Sequence, residues 1–450
     1  MFLFNKKNIV FFLCIFIFCV LGCGIGTNSS SYRKAEKNQI EIDRQKRENA
    51  TKNYILLKQD LEAQQKAVSD FISNLSEIQK LSQLFLVNLE GKENFKPVEY
   101  SSEGIPLIPG GYIFFSYNIA ETPEKLAKFN YSIQKFSLEN KIIPPFLSVD
   151  QEGGLVNRLR NINSMLPSAQ LISQRLTPEQ AFAFYENQAG QMFYEGFHIN
   201  LAPVAEVSDE LNSNFLGNRS YGNENAVIKY ASAAVNGFQK QGIGAVLKHF
   251  PGNTNDDPHT GLPEINVSAE KLEELYLKPF QKLLQTKPFG VLMSHARTSA
   301  FDKNTPACLS SFWVTDILRN KYNYEGLIFS DDIFMAALEK NGFPPEKAIV
   351  MAIEAGVDVI MLSEKRFASS IDILSKKLSS DKNFAILIEK AIARIINAKI
   401  KYGILERNYD SSTKTYSIKP KEVSSWNEAK FLEFKEKGQS LYNNFFTIKN

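Results

Sequence analysis

Eight short apolar runs recur along the middle of the chain, separated by longer amphipathic stretches. They are Leu84–Val87, Tyr112–Phe115, Phe146–Val149, Ile199–Pro203, Ala245–Leu247, Val291–Met293, Leu327–Phe329 and Val359–Leu362. Near-continuous hydrophobicity in runs this short fits strands buried on both faces, as in a parallel sheet. The stretches between them carry helix-start signals. One is Thr122-Pro123-Glu124; another, Thr177-Pro178-Glu179-Gln180, combines an N-cap threonine, proline at the first helical position and a capping-box glutamine. Eight strand–helix units predict an α/β fold, a (β/α)8 TIM-like barrel over residues 79–405. A doubly wound open sheet is the competing arrangement. The polar residues favour the barrel: Asp150 follows the third run, Lys248-His249 the fifth, His295 the sixth and Asp331-Asp332 the seventh. In a barrel these positions converge at the C-terminal strand ends, where catalytic groups gather.

The pattern changes at both ends. Lys6 and Lys7 precede an apolar run from Ile9 to Leu21. That run is shorter than the ~20 residues a spanning helix needs, and basic-then-apolar order is that of a signal peptide. Its end, Val20-Leu21-Gly22-Cys23, resembles the bacterial lipobox. Residues 1–22 are therefore expected to be a lipoprotein signal peptide, with Cys23 acylated and anchoring an exported protein to a cell or outer membrane. An ordinary signal peptide and a short anchor helix are the alternatives. Residues 23–78 are expected to form a polar tether leading into an amphipathic helix, on which Leu57, Leu61, Val68, Phe71, Ile72 and Leu75 fall at helical spacing. Residues 406–450 are expected to be a short C-terminal tail.

Composition narrows the function classes. With 52 Lys+Arg against 49 Asp+Glu, the charge makes no case for nucleic acid. Three of the four cysteines precede residue 24, which excludes a disulfide framework and a Cys-rich zinc site. Only four histidines occur: His198, His249, His259 and His295. No metal and no cofactor is expected. A zinc site at His249 and His259 is the rival reading, but the two lack helical ligand spacing and have no cysteine near.

The strand-end residues suit sugar chemistry. VDQEGGLVNRLR sets Asp150 before the Gly153-Gly154 pair, which would let backbone approach a ligand, and then Arg158; a carboxylate and a guanidinium suit sugar hydroxyls. A glycine-rich turn carrying a surface ion pair is the plainer explanation. Arg219 lies in a Gly/Asn-rich loop, and KHFPGNTNDDPHTGLPEI carries Lys248, His249, Asp257 and His259. An Asp-x-His pair can act as orienter and proton carrier, because the carboxylate fixes the imidazole tautomer. In GLIFSDDIFM, Asp331 stands just past a buried strand, where an ionised carboxylate can attack an anomeric carbon; Asp332 is expected to cap the following helix.

In order along the chain, PGGYIFFSYN (109–118), VDQEGG (149–154), NLAPVAEV (200–207), RSYG (219–222), KHFPG (248–252), DPH (257–259), MSHA (293–296) and FSDD (329–332) resemble glycoside hydrolase family 3, and more narrowly its β-N-acetylhexosaminidase branch. The resemblance covers roughly residues 80 to 405. It implies that Asp331 is the nucleophile and that His259, partnered by Asp257, is an unusual histidine acid/base. It also implies that Asp150, Arg158, Arg219, Lys248 and His249 contact the substrate. The chain departs from the branch pattern KHFPGHG…DSH: Asn253 replaces the histidine, Pro258 the serine, and the loop is about two residues shorter.

The β-glucosidase branch, whose acid is typically a Glu on a second domain, is the enzymatic alternative. The short stretch after Leu405 leaves the Asp257–His259 loop as the candidate acid. A non-catalytic glycan-binding lipoprotein on a decayed barrel is the non-enzyme alternative. The expectation is a lipid-anchored, monomeric, retaining exo-β-N-acetylglucosaminidase acting on amino-sugar glycans such as peptidoglycan fragments.

Overall fold

Eight parallel strands close on themselves in chain order. They are β1 (Phe85–Asn88), β2 (Gly111–Phe114), β3 (Phe146–Val149), β4 (Ile199–Asn200), β5 (Gly244–Phe250), β6 (Gly290–Met293), β7 (Leu327–Asp332) and β8 (Val359–Leu362). The computed structural model describes residues 29–256, 261–422 and 426–447. Cys23 and the rest of the expected signal peptide, as well as Asp257 and His259, lie outside the described residues. Each strand falls on one of the predicted apolar runs, and β8 closes on β1 with Phe85 opposite Ile360. The closed barrel, not the open sheet, is the fold.

Strands this short hold together because they are covered on both sides. Phe85, Phe114, Phe250 and Phe329 are fully buried, as is Trp313 between the barrel and the Phe301–Phe312 pair. The helices start where the sequence says they should. Thr122 Oγ1 accepts from the Lys125 N–H to open Pro123–Glu139, and Thr177 with Gln180 forms a complete capping box at Pro178–Tyr194.

The chain divides into two units, Met1–Gln64 and Gln65–Asn450. The stretch expected as a polar tether is helical from Ser29, in a helix that runs to Ser73. Opposite charges three and four residues apart support such a helix in water: Arg44 pairs with Glu41 and Glu48, and Lys58 with Glu62. The apolar positions of that stretch divide. Val68 and Ile72 join the barrel's core, whereas Leu57 and Leu61, in the first unit, are exposed. Among the described residues no helix is long and apolar enough to cross a membrane.

The expected C-terminal tail is folded. Leu405–Asp410 and Thr415–Pro420 form an antiparallel hairpin, and Glu428–Phe446 is a helix that packs on Pro178–Tyr194. Two glycines make that packing close. A Cβ at Gly190 would lie 2.4 Å from the Phe434 ring, and one at Gly438 would lie 2.3 Å from Ser164 Oγ. Aromatic residues spaced for one helix face, with Asn427 as N-cap, turned a presumed tail into a docked element.

Candidate active site

The residues that end β3 and β5 form one buried charge network. Lys248 Nζ lies 2.7 Å from Asp150 Oδ1 and 2.7 Å from Glu152 Oε1. Arg219 grips the same Glu152 in a fork, Nε to Oε2 at 2.8 Å and Nη2 to Oε1 at 3.0 Å. Burial would raise the Glu152 carboxyl, but the Lys248 ammonium and the Arg219 guanidinium outweigh it and hold the group at about 2. Burial likewise pulls Lys248 down, and Asp150 and Glu152 together carry it above the usual lysine value. Glu152, Lys248 and Arg219 are therefore charged at neutral pH. Two cations facing two carboxylates make the cluster rigid without leaving an uncompensated charge.

The backbone that carries Asp150 and Glu152 is clamped. Asn200, at the end of β4, accepts from the Gln151 N–H at 2.9 Å and donates to its carbonyl at 3.0 Å. The Gln151 side chain then ties Asn157 and the Leu159 N–H. Gly153 and Gly154, expected to make room for a ligand, have another task. Both hold positive φ, and a Cβ would meet the Pro167 carbonyl at 2.2 Å in the first case and Ser168 Cβ at 2.7 Å in the second. They let the loop pack on its own following segment.

His249 stands next to this network. Its Nδ1 lies 2.7 Å from Glu206 Oε1, and its own N–H donates to the same oxygen at 3.2 Å. Asn253, which stands where the branch pattern has histidine, is buried and also donates to Glu206, at 3.3 Å. The altered loop therefore keeps a donor on this carboxylate. Before residue 257 it is anchored further by Asn255, whose side chain accepts from the Asn214 and Phe215 N–H groups.

Across the barrel mouth, Asp331 ends β7. Its Oδ1 accepts from the Asp332 N–H at 2.9 Å, and its Oδ2 lies 4.0 Å from His295 Nε2. Among the described residues no lysine or arginine pairs with Asp331, and its side chain is about one-fifth exposed. Asp332 does not cap the following helix as expected. Its Oδ1 accepts instead from the Phe334 and Ser363 N–H groups, tying the end of β7 to the loop after β8; the short helix Ala336–Lys340 starts too late for it to cap.

Part of the predicted set comes together at the barrel mouth, with Asp257 and His259 outside the described residues. Asp150, Lys248, Arg219 and His249 lie in one electrostatically linked cluster, and His249 in turn acts on His295 beside Asp331. Arg158 stands apart: it is half-buried, its Nε is buried without a partner, and no ion pair engages it among the described residues. Two residues of the cluster, Glu152 and Glu206, were not singled out from the sequence. Both sat inside the quoted motifs VDQEGG and NLAPVAEV, and the signal was an acidic residue next to a glycine pair in one and within an apolar run in the other.

Residues 79–398 match the family described as Glycosyl hydrolase family 3 N terminal domain. The chain belongs to glycosyl hydrolase family 3. Among curated relatives, Beta-hexosaminidase A of Pseudoalteromonas piscicida is 28% identical over 320 residues, 65% of this chain and 53% of that protein. The chain therefore spans about half the length of that family 3 relative. Beta-hexosaminidase of Haemophilus influenzae is 31% identical over 290 residues, 62% of this chain and 79% of the relative. Among solved structures, a glycoside hydrolase family 3 beta-N-acetylglucosaminidase from Paenibacillus sp. str. FPU-7 superposes with a TM-score of 0.67 at 26% identity. The similarity covers 82% of this family 3 chain and 69% of the other.

Proposed function

We propose that this family 3 hydrolase is a retaining exo-β-N-acetylglucosaminidase that releases terminal β-linked N-acetylglucosamine from peptidoglycan fragments or related glycans. One observation carries the proposal. Asp331 has no lysine or arginine partner among the described residues, while Asp150 and Glu152 are neutralised by Lys248 and Arg219 and the neighbouring Asp332 is taken up by the Phe334 and Ser363 N–H groups. An unpaired, partly exposed carboxylate is free to act as a nucleophile; a paired one serves to bind and orient.

In the first step an Asp331 oxygen bonds to the anomeric carbon as the bond to the aglycone oxygen breaks, and His259 gives that oxygen its proton. In the second, water attacks the same carbon, His259 takes the water's proton, and the Asp331 carboxylate leaves. Asp257 orients the histidine. Asp150, Lys248 and His249 face the sugar, and the unpaired Arg158 supplies a further donor, with Arg219 holding Glu152 in place.

An activated 5-fluoro N-acetylglucosaminide tests this on the full chain. The expected adduct is on the peptide bearing Asp331; mass on Asp332 or Asp150 would name the wrong carboxylate. In the same assay His259→Ala should retain labelling from an acidic phenol donor yet lose disaccharide cleavage by roughly 10²–10⁴-fold. Equal losses on both substrates would make His259 structural. We further propose acylation at Cys23, motivated by the lipobox-like Leu21-Gly22-Cys23. Metabolic labelling with a fatty acid should vanish in Cys23→Ala, and persistent label would refute it.

A further inference from the structure

His295 and Cys308 lie beside Asp331 and have no part in the mechanism above. Two backbone hydrogen bonds bring them together: Cys308 N–H donates to the Ser294 carbonyl and Ala307 N–H to the Ala296 carbonyl, both at 3.0 Å. The thiol is thereby pressed against the imidazole, with Sγ 3.3 Å from Nδ1. Both side chains are fully buried. The other ring nitrogen, Nε2, makes no close hydrogen bond among the described residues; it faces Asp331 Oδ2 at 4.0 Å, and the ring also lies against the Asp332 backbone.

Burial draws the His295 pKa below the ordinary imidazole value, against the pull of Asp331 and Asp332, and it pushes the Cys308 thiol well up. The ring is therefore neutral and the thiol protonated, which leaves two tautomers to compare. With the proton on Nδ1, the Nε2 lone pair would point at a carboxylate, and the N–H would face sulfur, a weak acceptor. With the proton on Nε2, the N–H faces the Asp331 carboxylate and the Asp332 backbone, and the S–H donates to Nδ1, so each proton faces an acceptor. Only the second arrangement is electrostatically consistent.

We infer that Cys308 fixes the His295 tautomer, and that His295 in turn positions the Asp331 carboxylate for attack. The inference rests on the reading of Asp331 as nucleophile. At 4.0 Å the contact is a dipole facing a charge and not a hydrogen bond. It restrains Oδ2 while the Asp332 N–H holds Oδ1. The hydrogen bond at Oδ1 and the dipole facing Oδ2 together bias the carboxylate toward one orientation, and in the second step the N–H stabilises the charge that returns to it. His295 and Cys308 are positioning residues and need not touch the sugar.

Four histidines in the chain make the test direct. In full-length protein labelled with 15N-histidine, His295 should be neutral with its proton on Nε2 at neutral pH. Cys308→Ser, which keeps a donor, should preserve that tautomer and stay within about twofold of wild type in the rate of fluoro-glycoside labelling. Cys308→Ala should lose the tautomer's dominance and slow labelling by several-fold. His295→Leu should slow it on the order of ten- to hundred-fold, the scale of one interaction with a charged group, with KM little changed. If His295→Leu does not fold, the pair of Cys308 variants decides. A wild-type ring protonated on Nδ1 or on both nitrogens overturns the relay, as do two Cys308 variants identical to wild type. Labelling of another carboxylate would instead overturn the nucleophile reading, whatever the tautomer.

Discussion

Lys248 and Lys399 are both buried in one barrel, at opposite ends, and their surroundings have little in common. Lys248, at the barrel mouth, faces two carboxylates and holds its proton more firmly than a free lysine. Lys399, at the far end, is fully buried with neutral acceptors only, the Gln83 side chain at 2.7 Å and the Pro144 carbonyl at 2.8 Å, beside the Phe146 ring. Burial drives its pKa well below the ordinary value. Glu195 shares that end: Asn163 donates to one oxygen at 3.3 Å, the other has no partner among the described residues, and burial raises the carboxyl to about 8. At the mouth, charge is concentrated and compensated, ready to meet a polar substrate. At the base, these two ionisable groups are hydrogen-bonded to neutral partners, and for Glu195 burial outweighs the pull of the Lys435 ammonium, so the uncharged form is favoured.

Breaking the compensation at the mouth should have the largest effect. Lys248→Met leaves Asp150 without its cation and Glu152 with only Arg219. Removing one partner of a buried pair costs about 3–5 kcal/mol. Urea unfolding should read that loss, together with a collapse of kcat/KM; a loss below about 1 kcal/mol would mean the carboxylates are hydrated.

The base should respond to pH instead. Glu195 binds its proton more tightly folded than unfolded, so its contribution is fully present below pH 4.5 and is lost as pH rises toward about 8. Glu195→Gln should match wild type near pH 4 and be the more stable protein at pH 8, by on the order of a few kcal/mol. Parallel stability curves across that window would show that the carboxyl is solvated.

Lys399→Met should have the smallest effect. The depressed lysine makes wild-type stability climb as pH rises toward 10.5, because the unfolded chain keeps its proton until then. The variant should lack that climb. At neutral pH the gain from removing an amine whose burial drives off its proton is offset by two acceptors left bare, for a net change of about 1 kcal/mol. A loss of several kcal/mol would show that Lys399 is charged and well solvated.

The contrast also marks what the sequence could disclose. Strands buried on both faces announce themselves as apolar runs, and a polar residue that ends such a run has few reasons to be there. Asp150, Lys248, His249 and Asp331 were legible for that reason. Glu152 and Glu206 were less so, because their importance lies in which distant cations and imidazoles they meet: Arg219 is 67 positions from Glu152, and His249 is 43 from Glu206. Pairings of that kind are products of closure. Asp332 misled for a related reason: an Asp before a helix reads as a cap, yet the backbone groups it satisfies include one on the far side of β8. The C-terminal helix was hidden by its modest hydrophobic content, since its docking relies on the absence of side chains at Gly190 and Gly438 as much as on Phe431 and Phe434.

Those two glycines impose a constraint on descent. Gly190 lies within a helix, where alanine would ordinarily be the more favourable residue. A lineage carrying the helix Glu428–Phe446 forgoes that advantage for as long as Phe434 occupies the notch. Loss of the helix would release position 190 at once, and regaining it would require position 190 to revert first. Residue 190 is thus a historical marker: among relatives of this barrel, its identity should track whether an aromatic helix is latched across the outer layer, even where the appended segment itself has diverged beyond alignment.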